Sequence, residues 1–354
     1  MPRTIVSLGK STQDVFVRSA RDFVPRPGSA GRVLTLPLGA KLDLDDLTVT
    51  TGGNAANAAT TFARQGLRSM FLWALGSDPV STRMLEDLRA DRIDVSHVLV
   101  EPGRVPSISL VLLAASGERT ILNHRGTTPS QGARRIDLAP IAAADWLYVS
   151  SLAGDLVLLA AAIDAAKSAG AQVLLNPAGG ELERLRTLLP LIHRCDVLAV
   201  NAEEGRLILG SLEQDAVELA RGLARLGPAT LVTDGPRGAA YADGTHIVTA
   251  GIRHAVQVVD STGCGDALAS GFLSRLAQGE PLRRCMSFAT ANAASVLGEL
   301  GARTGILAVR DVPDDISIEE WADGARRRGR RRGPTRHDAL RIRPAGDDAA
   351  TALG

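Results

Sequence analysis

The stretch Val259-Asp260-Ser261-Thr262-Gly263-Cys264-Gly265-Asp266-Ala267-Leu268 constrains this chain more than any other. An apolar run, Ala255 to Val259, leads into it and reads as a strand. A helical run from Ala267 to Ala277 leads out. Between them lies a polar turn with two glycines. A glycine turn between strand and helix aims backbone N–H groups at an anion, and glycine permits close approach of backbone to ligand. Asp266 stands at the mouth of the turn. A carboxylate there repels a resting phosphate unless a proton or a metal intervenes. Beside an anion cradle it suggests phosphoryl transfer, with Asp266 as base for an attacking hydroxyl. The competing reading is a helix cap, since Asp caps well. On these residues alone the two stand level.

The chain has 354 residues, 45% of them hydrophobic, enough for a full core in one large domain or two smaller ones. Aromatics make up only 3%, which suits close helix–sheet packing better than a base-stacking surface. The segment from Ala325 to Gly354 holds nine arginines and three aspartates, a net of about +6. That leaves about −5 on the rest of a chain whose total is +1. A mildly acidic body has no electrostatic footprint for nucleic acid. Cys195, Cys264 and Cys285 are far apart and form no CxxC pair, against a disulfide framework or a zinc site. With no apolar run of membrane-spanning length and no signal-peptide pattern, the expected location is the cytoplasm.

Along the chain, Thr4 to Leu8 reads as a first strand, left through a polar stretch containing Asp14. Residues Phe23 to Val49 suggest small strands outside the main layer. Thr51-Gly52-Gly53-Asn54-Ala55-Ala56-Asn57 is a second glycine turn, opening a helix that Gly66 closes. Ser107–Ala114 and Arg119–His124 read as a hairpin that joins the early strands in one accessory sheet. From Trp146 onward strands and helices alternate, which predicts a largely parallel sheet covered on both faces. The last helices are expected over Leu282–Gly298 and Ile318–Ala325. Beyond that, 325–354 reads as a disordered Arg-rich tail, with a nucleic-acid or acidic-partner contact as its alternative.

Two segments, Thr51 to Gly66 (TGGNAANAATTFARQG) and Val259 to Phe272 (VDSTGCGDALASGF), resemble the paired signatures of the ribokinase-like, or PfkB, carbohydrate kinases. The resemblance spans roughly Thr4 to Arg310. It implies a ribokinase-like α/β fold over residues 1–324, with a mostly parallel central sheet and a small β-sheet lid from about 14–50 and 105–125. It implies ATP-dependent phosphorylation of a sugar or related polyol. Asp266 matches the family's base, and Gly263, Cys264 and Gly265 its anion hole. The Cys264 thiol, beside a helix N-terminus, is a candidate for a lowered pKa. Asp14, Gly53, Asn54 and Asn57 match acceptor-binding positions. Asn54 stands where ribokinases carry Lys and nucleoside kinases carry Asn. Arg125 ends the lid hairpin, where it caps the site, contacts a charged substrate group or makes an exposed salt bridge. Asn201 and Glu204 match an Asn-x-x-Glu pattern whose glutamate helps hold Mg²⁺, against a plain capping box. Thr233, Gly235 and Gly238 resemble a segment lining the nucleotide, against a plain turn. Asn292 matches a position near the adenine. In some relatives the region of Asp260 and Thr262 holds a monovalent cation such as K⁺, and the lid often forms a homodimer contact.

There is no P-loop, no dinucleotide fingerprint, no HExxH and no GxSxG. Two rivals remain at this stage. One is a nucleoside kinase with the same machinery. The other is a non-catalytic regulator that binds a sugar or nucleotide.

Overall fold

The structure is a computed structural model, which describes residues 2–29, 31–114, 118–128, 135–252, 256–309 and 316–323. Ala255 and the Arg-rich tail lie outside the described residues. Met1–Asp323 forms one compact unit.

The main sheet has nine strands. Its order is Ile318–Ala322, His246–Ala250, Ala239–Ala242, Ala229–Thr233, Val197–Asn201, Gln172–Leu175, Trp146–Val149, Thr4–Leu8 and Arg68–Leu72. The last six run parallel, and the first three are antiparallel. Side chains alternate between the faces of a strand, and this sheet is buried on both. Leu147 and Val149 join one core cluster, whereas Trp146 and Tyr148 join the other. The first cluster receives helices Pro79–Ala90, Leu156–Ser168 and Ala216–Ala224. The second receives Cys264–Ala277 and Leu282–Leu297. Burial on both faces explains why these strands read as unbroken apolar runs.

A second sheet of four strands stands apart, in the order Arg119–His124, Ser107–Leu113, Thr12–Arg18, Asp46–Gly52. The hairpin does join early strands, but the partners differ from those expected. Thr12–Arg18, expected as a polar exit from the first strand, lies inside this sheet between Ser107–Leu113 and Asp46–Gly52. Among the described residues, Arg26–Gly28 and Gly31–Val33 pair only with each other.

Two further expectations are corrected. Ile318–Ala325 was expected as a helix, yet Ile318–Ala322 is an edge strand paired with His246–Ala250. Glu319 and Glu320 favour a helix intrinsically, but pairing to the sheet overrides that weak preference. The run before the glycine turn is not a strand over its described residues, 256–259. There the N–H groups of Val259 and Asp260 both bond to the Leu297 carbonyl, so the run is tied to a helix end. A short apolar run does not reveal which partner it will take. Among the described residues no helix is long and apolar enough to cross a membrane.

Candidate active site

The carboxyl ends of the parallel strands gather the polar residues. Lys10 follows Thr4–Leu8, Asn176 follows Gln172–Leu175, and Asn201 and Thr233 end their own strands. Crevices in such sheets bind ligands at this edge. A cleft of about 200 Å³ opens here, lined in part by Asn54, Asn201, Glu204, Thr233, Gly265 and Asp266. A larger cavity, about 600 Å³, lies beside the four-stranded sheet, lined in part by Pro25, Arg32, Leu34, Leu112, Glu118 and Ile121. It contains an Arg32–Glu118 ion pair and none of the glycine-turn residues. The glycine-turn residues line the smaller cleft instead.

Asp266 sits buried in the first turn of the Cys264–Ala277 helix. Asn54 Nδ2 donates to its Oδ1 at 2.9 Å, and Asn57 Nδ2 donates to its Oδ2 at 2.8 Å. The two glycine motifs thus converge on one carboxylate. Burial raises its pKa above the usual carboxylate value, and the two amides pull it back. The cap reading does not survive: Gly263 occupies the N-cap, and no side chain caps this helix.

The turn around it is shaped by two different glycines. Gly263 has φ of 78°, and a Cβ there would lie 2.3 Å from the Ala302 Cβ. Gly265 has nothing within 4 Å of such a Cβ. Its missing side chain leaves open space over the first helical turn, whose N–H groups have no intrahelical partner. Cys264 departs from expectation. Burial, reinforced by the negative charges of Asp260 and Asp266, pushes its thiol up to about 12.

The first glycine turn is closed by comparison. Gly53, at φ 98°, precedes the Asn54–Arg64 helix. A Cβ there would meet the Lys10 carbonyl at 2.6 Å and the Thr12 nitrogen at 2.7 Å. Gly53 thus sets the path that presents Asn54 and Asn57. Asp14, on the lid strand Thr12–Arg18, is buried. Its carboxyl is pushed up to about 7, first by burial and then by the charges of Asp260 and Asp266, against a Ser109 hydrogen bond. Arg125 is exposed and makes no ion pair among the described residues.

At the other end, Asn201 and Glu204 form the capping box: Glu204 Oε2 accepts from the Asn201 N–H and Asn201 Oδ1 from the Glu204 N–H, each at 2.9 Å. Glu204 nonetheless lines the cleft, and burial, with Asp266 and Glu203 nearby, raises its pKa. A carboxylate in that field suits a cation. Among the described residues no group of three His, Cys, Asp or Glu could hold a metal unaided. A metal at Glu204 would therefore rely on ligand oxygens and water. Thr233 lines the cleft, and Gly235 is exposed with open space around it. Gly238 is buried, and a Cβ there would lie 2.1 Å from the Ala250 carbonyl oxygen. Asn292 is fully buried: its amide donates to the Ala267 carbonyl at 2.8 Å and accepts from the Leu307 N–H at 2.9 Å. It ties two backbone segments together.

Asp260 is also buried. Its Oδ1 accepts from the Thr262 N–H and hydroxyl, its Oδ2 from the Gly301 N–H. Arg119, from the lid, lies 3.8 Å from Oδ1 and donates to the Ser261 hydroxyl at 2.5 Å. Lys10, Arg119 and Asn176 are site-edge residues that motif reading missed. Lys10 and Asn176 were detectable as polar residues just past parallel strands. Arg119 carried no such signal.

A buried carboxylate lies beside an open helix N-terminus at the carboxyl edge of a parallel sheet, an arrangement suited to group transfer on an anionic ligand. The comparisons agree. Residues 35–308 match the profile described as pfkB family carbohydrate kinase. The chain is 29% identical to a ribokinase of Haemophilus influenzae over 78% of its own length and 92% of the relative's. It is 30% identical to a fructokinase of Salmonella typhimurium, covering 81% and 94% of the two chains. The solved structure of Arabidopsis thaliana ribokinase complexed with ribose and ATP superposes with a TM-score of 0.73 at 22% identity, covering 88% of this chain and 97% of that one. The chain belongs to the pfkB family of carbohydrate kinases.

Proposed function

We propose that this protein transfers the γ-phosphoryl group of ATP to a hydroxyl of a sugar or related small polyol. The observation that carries the reading is Asp266, clamped by Asn54 and Asn57 beside the open turn at Gly265. Asp266 takes the acceptor's hydroxyl proton as that oxygen bonds to the γ-phosphorus. The bond from the γ-phosphorus to the bridging oxygen breaks, and ADP leaves. A raised pKa suits a base that must hold this proton. The N–H groups at Gly263, Cys264 and Gly265 stabilise the charge on the moving phosphoryl. Asn201, Thr233 and Gly235 border the nucleotide. Glu204 would hold Mg²⁺, whose charge neutralises the phosphates.

On the acceptor side, Asp14 at about 7 both donates to and accepts from sugar hydroxyls near neutral pH. The lid excludes water from the transfer. Its exposed Leu47, Val49, Ile121 and Leu122 suit pairing with a second copy, which sedimentation would show as a dimer. The test of function is ATP turnover across a panel of sugars and nucleosides. Sugar-dependent ADP release is the expected result. Release with nucleosides alone would shift the acceptor to that class, and release with neither would sink the kinase reading.

A further inference from the structure

The four-stranded sheet meets the Asp260–Gly263 turn by two routes. The first is apolar and indirect. Phe16, Val111 and Leu113 pack against Leu300. The next residue, Gly301, donates its N–H to Asp260 Oδ2, and Ala302 closes over Gly263. The second route is polar and direct. Arg119 opens the edge strand Arg119–His124, in register with Leu113. Its Nη2 donates to the Ser261 hydroxyl at 2.5 Å, and its Nε lies 3.8 Å from Asp260 Oδ1. Arg119 and Ser261 are 142 positions apart in sequence, so only the seating of the sheet brings them together.

Asp260 makes that contact consequential. Its side chain is fully buried. A buried carboxylate is costly unless it is both hydrogen-bonded and paired with a cation. The hydrogen bonds come from Thr262 and Gly301, within and beside the turn. Among the described residues, its ion-pair partner is Arg119. The charge that offsets the turn's own carboxylate is therefore carried by the lid. The field of the same guanidinium reaches Cys264, the first residue of the Cys264–Ala277 helix, where it opposes burial and two aspartates. Asp260 also acts electrostatically on Asp14, which shares the four-stranded sheet with Arg119.

We propose that Arg119 is a positioning residue for phosphoryl transfer: from the lid it holds Ser261 and Asp260, and so fixes the turn whose N–H groups face the moving phosphoryl. This rests on the phosphotransfer reading above and adds a residue from outside both glycine motifs. Turnover is read as ADP release from ATP with D-ribose, D-fructose or adenosine. Arg119→Ala should lower kcat by about tenfold, the worth of a charge-assisted hydrogen bond, and keep KM for ATP and acceptor within about twofold of wild type. Arg119→Lys, which retains a charge and a donor, should recover most of that loss. Ser261→Ala should lower kcat less, and the double variant should be no slower than Arg119→Ala, because both act through one contact. An unchanged kcat in Arg119→Ala, a loss confined to KM, or additive losses in the double variant overturn the role and leave the kinase standing. The contact is also read without turnover. Amide hydrogen exchange over 261–265 should quicken by about tenfold in Arg119→Ala, while strand Trp146–Val149 keeps its protection. Unchanged exchange over 261–265 overturns the hold on the turn. A wild type that turns over no acceptor removes the phosphotransfer reading and the catalytic role with it, and the exchange rates then decide whether Arg119 holds the turn.

Discussion

The two glycine turns look alike as sequence and differ as structure. Each leads into a helix, and the first presents Asn54 and Asn57 to the carboxylate that the second carries. At Gly53 the absent side chain is filled by the backbone of Lys10 to Thr12. At Gly265 it is filled by nothing. The first glycine is needed so that the chain can pack. The second is needed so that something else can come close. A glycine-rich motif therefore contains structural and ligand-facing positions, and only the neighbours tell them apart.

That contrast can be broken by substitution. Asp266→Asn, on the open side, should lower kcat by about a thousandfold, within the usual range for a lost general base, with the fold retained by circular dichroism. In the wild type the acid limb of kcat/KM should lie above the ordinary carboxylate range, because Asp266 must be ionised to act and burial raises its pKa. Gly265→Ala should leave the unfolding midpoint nearly unchanged and cut turnover by about a hundredfold, as a methyl group enters the phosphoryl space. Gly53→Ala should do the reverse. It should destabilise the protein by about 1–3 kcal/mol in denaturant titration, through a forced positive φ and a backbone clash. Equal effects of the two alanines on stability would erase the distinction.

Smaller effects sharpen it. Asp14 binds its proton more tightly folded than unfolded, since its pKa rises from 3.8 to about 7. Its contribution to stability is fully present below 3.8 and lost as pH rises through about 7. Relative to Asp14→Asn, the wild-type Tm should fall across that window. A flat difference would place Asp14 in water. Cys264→Ala should change turnover less than about threefold, because a thiol near 12 supplies no thiolate at neutral pH. Rapid alkylation of Cys264 at neutral pH would contradict that environment.

The sequence by itself determined the fold class and the pair of motifs. Apolar strands alternating with helices have few solutions other than a covered parallel sheet, and two long signatures in the same order pointed to one family. It also placed the polar residues at strand ends, because the strand edges can be read from Val, Leu and Ala runs. Proximity was not legible. That Asn54 and Asn57 clamp Asp266 depends on helix Asn54–Arg64 packing against helix Cys264–Ala277, which no local pattern encodes. The edge strand Ile318–Ala322 and the loop at 256–259 were decided by partners distant in sequence. So was the direction of the Cys264 shift. Burial and electrostatic neighbours are properties of the packed chain, and they become visible only once the two sheets are in place.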